Sequence, residues 1–131
     1  MVEYILGNYL VESNKISSEN LNAVLEQMNA VRVKLGLIAV AEGFMTTEQA
    51  EIVNKLQITC DKRFGDIAVE QGYLTNEQVG KLLQEQGNTY FMFVQTLVDL
   101  ELLEMDEVDG ILDEFKKIKG YTNTELEDIK S

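Results

Sequence analysis

The amino-acid sequence predicts an all-α protein built from four tandem αα-hairpins packed into one domain, and three observations support this prediction. A pattern of roughly 24 residues recurs every 29 positions, and a period of about 20–50 residues is typical of repeat architectures. The 131-residue chain contains no proline and is rich in Leu, Glu, Gln, Lys and Ala, which favour helices. Each copy also carries signals for a helix, a tight turn and a second helix. The copies lie near 5–28, 34–57, 63–86 and 92–115.

The first helix of each copy is expected to span about ten residues and to end at a left-handed turn. The turn residue is Asn14 in the first copy, Gly43 in the second and Gly72 in the third. Glycine and asparagine are the residues that best tolerate positive φ at the end of a helix.

The second helix of each copy begins at a Ser or Thr three residues after the turn. These residues are Ser17, Thr46 and Thr75, and their hydroxyl groups suit the N-cap position. Gln49 and Gln78 follow the two threonines at the spacing of a capping box. Apolar residues then recur at helical spacing, which predicts a second helix of about twelve residues.

The fourth copy keeps the apolar phase of the pattern but has lost its glycines. Val94 and Glu101 replace them, while Leu97, Val108 and Leu112 stay in phase. Terminal repeats are often atypical because they have a neighbour on one side only. We therefore expect this copy to be a solubilising cap with an acidic outer face.

The composition predicts one cytoplasmic domain over residues 1–119, followed by a polar tail at 120–131 that we interpret as a possible linker to a further domain. The start of the chain lacks the basic and small-residue features of a signal peptide. No apolar run approaches the ~18–20 residues that a membrane-spanning helix needs. The single cysteine, Cys60, fits a reducing compartment.

The net charge of −12 is concentrated in the last third of the chain, which holds eleven acids and four bases over residues 87–131. Such a balance argues against DNA or RNA as a partner, because nucleic acid binding needs a basic surface. Residues 106–110 group acids before a glycine, but they lack the alternating ligand spacing of a calcium loop. We therefore interpret the acidic stretch as a solvated helix face.

The absence of histidine argues against catalysis, because it removes the imidazole base and the commonest metal ligand. No GxxxxGK[ST] phosphate-binding motif occurs either. We therefore predict a protein that is not an enzyme and requires no cofactor.

A glycine at the third position of the first three copies is the least expected feature of the pattern. Gly7, Gly36 and Gly65 each fall within an apolar run near the start of a predicted helix, where glycine costs ~1 kcal/mol relative to alanine. Either two helices approach closely at this point, or the backbone is open to a ligand. Considered alone, the glycines favour close approach of helices.

The middle two copies share further features at both ends. Lys34-Leu35-Gly36 and Arg63-Phe64-Gly65 both read base, apolar residue, glycine, and the copies close with Gln57 and Gln86. Over residues 34–86 the sequence resembles the N-terminal domain of bacterial type II secretion and type IV pilus assembly ATPases. The MshE-like members of that family bind cyclic di-GMP through two 24-residue motifs of the form RLGxxLxxxGxxxxxxLxxxLxxQ, separated by five residues.

The resemblance implies a ligand site built from both motifs, in which the bases contact guanine or phosphate and the apolar residues and glycines line the ligand. Carried over position by position, that site comprises Lys34, Leu35, Gly36, Gly43, Gln57, Arg63, Phe64, Gly65, Gly72 and Gln86. Lys34 departs from the family's arginine, and Asn54 departs from its leucine.

Two functions follow as hypotheses for a bacterial protein of this kind. In the first, the chain is a sensor that binds cyclic di-GMP and signals to a protein partner or a covalently attached domain. In the second, it is an adaptor of a secretion, pilus or chemotaxis-type system that binds no nucleotide. The sequence leaves the oligomeric state open.

Overall fold

The computed structural model describes residues 2–108 and 110–119, and within this part of the chain the regular elements are all helices. The α-helices are α1 (Val2–Glu12), α2 (Ser18–Gln27), α3 (Leu35–Ala41), α4 (Thr47–Thr59), α5 (Phe64–Glu70), α6 (Asn76–Glu85), α7 (Thr89–Asp99) and α8 (Ile111–Lys119). Short 3-10 helices lie at Met28–Ala30 and Met105–Glu107. The prediction of an all-α protein is confirmed. The predicted tail at 120–131 lies outside the described residues.

The turns that follow α1, α3, α5 and α7 each contain one residue with positive φ. The values are 59° at Asn14, 76° at Gly43, 78° at Gly72 and 61° at Glu101. The left-handed conformation of Glu101 is unexpected, because this conformation costs a residue with a Cβ about 1–2 kcal/mol. Two backbone hydrogen bonds hold the turn, from Glu101 N–H to Val98 O at 3.0 Å and from Leu102 N–H to Leu97 O at 2.9 Å.

The predicted N-caps of the second helices are confirmed. Thr46 Oγ1 accepts the Gln49 N–H at 3.1 Å, and Gln49 Oε1 accepts the Thr46 N–H at 3.0 Å. The same reciprocal pair joins Thr75 and Gln78, while Ser17 accepts a single bond from a backbone N–H of α2. These contacts form within one helical turn, which explains why sequence spacing was enough to predict them.

The first helices of the middle copies are shorter than the ten residues that we predicted. Helices α3 and α5 have seven residues each, because Lys34 and Arg63 are extended before them and the C-caps Glu42 and Gln71 lead directly into the left-handed glycines. The φ and ψ angles are −89° and 139° for Lys34, and −74° and 153° for Arg63. Both bases therefore stand just outside the helices that follow them.

Helix α7 lies in the centre of the molecule, so the prediction that the fourth copy is a solubilising cap is wrong for this helix. It packs against α1, α2 and the 3-10 helix Met28–Ala30. Its buried residues are Tyr90, Phe91, Phe93, Val94, Gln95, Thr96 and Leu97. The first hairpin thus has the fourth copy as a neighbour, and a helix with so many aromatic and aliphatic residues is stable only when both of its sides are covered.

Helix α8 continues this packing against the first hairpin. The rings of Phe115 and Tyr9 meet edge to face with centroids 5.1 Å apart. On the surface, the Lys15 ammonium pairs with the Glu114 carboxylate at 2.7 Å. The side chain of Leu112, which we expected to stay in the apolar phase, lies outside the described residues.

Helix α3 is the hub of the second half of the molecule. It contacts α4, α5, α6 and the 3-10 helix Met105–Glu107, and α4 in turn contacts α5. Residues 36–40 are all buried, so the helix is apolar around most of its circumference. This packing brings the starts of α3 and α5 to the same part of the surface.

Candidate functional site

A surface groove of about 520 Å³ combines the starts of α3 and α5 with residues from the C-terminal halves of α4 and α6. Its lining residues are Arg32, Val33, Lys34, Leu35, Asn54, Gln57, Arg63, Phe64, Leu83 and Gln86. The structure therefore brings together six of the ten predicted site residues. These six are the two bases, the two apolar residues that follow them and the two closing glutamines.

The lining residues of the groove fall largely into matched pairs. Four pairs have members 29 positions apart: Lys34 and Arg63, Leu35 and Phe64, Asn54 and Leu83, and Gln57 and Gln86. Each pair places one residue in the motif at 34–57 and its equivalent in the motif at 63–86. The groove thus has two halves of similar composition, and only Arg32 and Val33 lack an equivalent among its lining residues.

Each closing glutamine donates its side-chain amide to a backbone carbonyl. Gln86 Nε2 donates to Val33 O at 2.9 Å, and Gln57 Nε2 donates to Lys62 O at 3.5 Å. In each case the acceptor carbonyl belongs to the residue just before the base of the opposite motif. Gln86 therefore helps to fix the segment that carries Lys34, whereas the long contact of Gln57 is weak. The oxygen of each amide is not used in these contacts.

The groove is positively charged although the protein is strongly acidic. Arg32, Lys34 and Arg63 are exposed at its lining, and no Asp or Glu is among the described residues that form it. Within the described part of the chain, none of the three bases takes part in an ion pair. Their charges are thus available to an anion in solution.

Apolar side chains supply the rest of the groove surface. Leu35 and Phe64 are half-buried, whereas Leu83 is 54% exposed. An aromatic ring and two leucines therefore lie beside three cations. This combination can bind a ligand that has a planar apolar part and a negatively charged part.

The glycines at the third position do not line this groove. Gly36 and Gly65 are buried, and a Cβ on Gly65 would lie 2.8 Å from Val79 Cγ1. A Cβ on Gly36 would lie 3.2 Å from the Phe64 ring. Close packing accounts for both glycines. Gly36 also lines a neighbouring cavity of about 150 Å³, and neither glycine lines the groove.

The turn glycines are also separate from the groove. Gly43 and Gly72 have positive φ and open space around them. Gly43 lines a different cavity of about 380 Å³. Their conformation at the turns accounts for the presence of glycine at these positions.

Sequence reasoning missed four lining residues, Arg32, Val33, Asn54 and Leu83. Arg32 precedes the repeated pattern, and the position 29 residues later is Asp61, so the repeat gave no signal for it. Asn54 and Leu83 occupy equivalent positions on α4 and α6, and the equivalence could have identified them as a pair. Leu83 belonged to the apolar periodicity of its helix, which favoured a place in the core, and Asn54 was noted only as a departure from the family's leucine.

Comparison of the chain with protein-family models, curated proteins and solved structures finds no match. Across residues 2–108 and 110–119, no cluster of three or more Cys, Asp or Glu side chains could hold a metal ion. No helix in the described part of the chain combines the length and hydropathy needed to cross a membrane.

Proposed function

We propose that this chain is a non-catalytic regulatory module that binds cyclic di-GMP in the groove between the motifs 34–57 and 63–86. The observation that carries the proposal is the paired composition of the groove, in which each half contributes a base, an apolar residue and a glutamine. Cyclic di-GMP is itself a two-fold symmetric molecule with two guanines and two phosphates. A site with two similar halves suits such a ligand.

The chemistry of the lining residues also fits this ligand. Arg63 can bind a phosphate or a guanine edge with two parallel hydrogen bonds, whereas Lys34 offers a single point charge. Phe64 and Leu35 can cover the face of a guanine base. The oxygen of a glutamine amide can accept a hydrogen bond from a guanine amino group.

We also propose that the chain is related to the N-terminal domains of secretion and pilus assembly ATPases. The chain would then have originated as four related helical hairpins. Two structural features support this origin. The positive-φ residues fall at 14, 43, 72 and 101, and the N-cap residues fall at 17, 46, 75 and 104. Both series have a spacing of 29. In such a system the module would act in the bacterial cytoplasm on a protein partner or an attached domain.

Isothermal titration calorimetry with cyclic di-GMP tests the proposal. We expect one ligand per chain, and we expect Arg63→Ala to weaken binding roughly tenfold to a hundredfold because it removes charge-assisted hydrogen bonds. Lys55→Ala is the matched control, since Lys55 is an exposed base on α4 outside the groove. Absence of binding to the unchanged protein, or equal losses in both variants, would contradict the proposal.

A second candidate function is a protein-binding adaptor that takes no nucleotide. Exposed apolar side chains favour it, because Leu83 in the groove and Ile58 in the last turn of α4 are 54% and 85% exposed. Burial of these two side chains against a protein partner would favour association. In that case Leu83→Ser would abolish capture of the partner, and cyclic di-GMP would not compete with it.

A further inference from the structure

Gln95 is a buried polar side chain on α7, whose buried residues are mostly apolar. Only 2% of its surface is exposed, and a buried amide without hydrogen bonds would be costly. Its Oε1 accepts the backbone N–H of Lys34 at 3.1 Å. The central helix of the molecule therefore holds the backbone of a residue that lines the groove.

The orientation of the Gln95 amide is set by a second hydrogen bond. Its Nε2 donates to Asp99 Oδ1 at 2.9 Å, one turn further along α7. Because a carboxylate can only accept, it selects the orientation in which the NH₂ group faces Asp99. That orientation leaves the Gln95 oxygen facing the Lys34 N–H.

The peptide group between Val33 and Lys34 is consequently held at both of its polar atoms. Its N–H donates to Gln95 from α7, and its carbonyl accepts from Gln86 at the end of α6. A peptide group is planar, so two hydrogen bonds from different helices fix its position and its tilt. Lys34 contributes the N–H of this peptide group and Arg32 comes directly before Val33, and these two residues supply two of the three cations of the groove.

We propose that Gln95, oriented by Asp99, is a positioning residue that sets the Lys34 half of the groove for its anionic ligand. This inference rests on the proposed function for the identity of the ligand, but the hydrogen-bonded geometry itself can be tested without one. Gln95 lines a neighbouring cavity rather than the groove, and its hydrogen bond to a groove residue is the one to the backbone N–H of Lys34.

The first measurement is hydrogen exchange of the Lys34 amide by NMR, on the full chain without ligand. Gln95→Met removes both hydrogen bonds and keeps a similar volume, and we expect it to accelerate exchange of this amide by roughly fivefold or more. Thr96→Val is the matched control. Thr96 is equally buried on α7, and its hydroxyl bonds to Met92 O within the helix at 2.8 Å. It should leave Lys34 exchange unchanged.

The second measurement is calorimetric binding of cyclic di-GMP. We expect Gln95→Met to weaken binding about fivefold to tenfold, whereas Thr96→Val lowers thermal stability without weakening binding. Asp99 is exposed. Its replacement by Asn keeps an oxygen that can accept from Gln95 Nε2, whereas its replacement by Leu removes this acceptor. Asp99→Asn should therefore retain wild-type exchange and binding, and Asp99→Leu should move both in the direction of Gln95→Met.

Wild-type exchange of Lys34 in folded Gln95→Met would overturn the inference, as would wild-type ligand affinity in that variant. If Gln95→Met does not fold, wild-type behaviour of Asp99→Leu in the same assays overturns it. If the unchanged protein binds no cyclic di-GMP, the proposed function fails, and the exchange of Lys34 alone decides whether Gln95 positions this segment.

Discussion

Replacing Gly65 by alanine should destabilise the protein, although the same change elsewhere in a helix stabilises it. The helix-propensity gain is at most ~1 kcal/mol. Against it stands the new Cβ, which would lie 2.8 Å from Val79 Cγ1. Valine is branched at Cβ and moves little, and overpacking of this kind typically costs about 1–3 kcal/mol. We therefore expect a net loss of roughly 0–2 kcal/mol in the free energy of unfolding.

Gly80 provides the control for this change, because it lies exposed within α6 and no atom approaches the position of its Cβ. Gly80→Ala should gain up to ~1 kcal/mol. Urea denaturation followed by circular dichroism would measure both variants, and Val79→Ala should restore most of the loss in a double-mutant cycle. An equal gain in Gly65→Ala and Gly80→Ala would refute the explanation by close packing.

Four further substitutions test the local structure and the buried α7. Thr75→Ala removes the hydroxyl that accepts the Gln78 N–H, and thermal melting should show a loss of ~1 kcal/mol. Glu101→Gly relieves a positive φ of 61° and should gain up to ~1 kcal/mol in the same assay, whereas Gly72→Ala should lose a similar amount. Burial, followed by the charges of Glu42 and Asp113, raises the pKa of Tyr90 above its usual 10.0. The unfolded chain therefore loses this proton first, so stability should fall as the pH rises above 10, and less steeply in Tyr90→Phe.

The sequence predicted the features that depend on neighbours a few residues away. The capping boxes at Thr46 and Thr75 and the left-handed turns at Gly43 and Gly72 each need only the right residues at short spacing. For the same reason, the pattern remained recognisable in the first copy, which has Asn14 where the next two copies have glycine.

Features that depend on distant parts of the chain were harder to predict. The fourth copy has few of the repeated residues left, so nothing in it indicated that α7 would be covered by α1 and α2. Gln95 belongs to none of the repeated motifs. Its role becomes visible only in the fold, where it contacts Lys34, which lies 61 positions earlier in the chain. The two glycine-based site residues Gly36 and Gly65 are explained by packing, which the sequence could not distinguish from exposure to a ligand.

The central claim is that the two halves of the groove bind one two-fold symmetric ligand. NMR chemical-shift mapping with cyclic di-GMP tests it most directly. The claim predicts that the backbone amides of Leu35 and Phe64 shift together, as do the side-chain amides of Gln57 and Gln86, with saturation at one ligand per chain. Shifts confined to one motif, or located outside the groove, would contradict it.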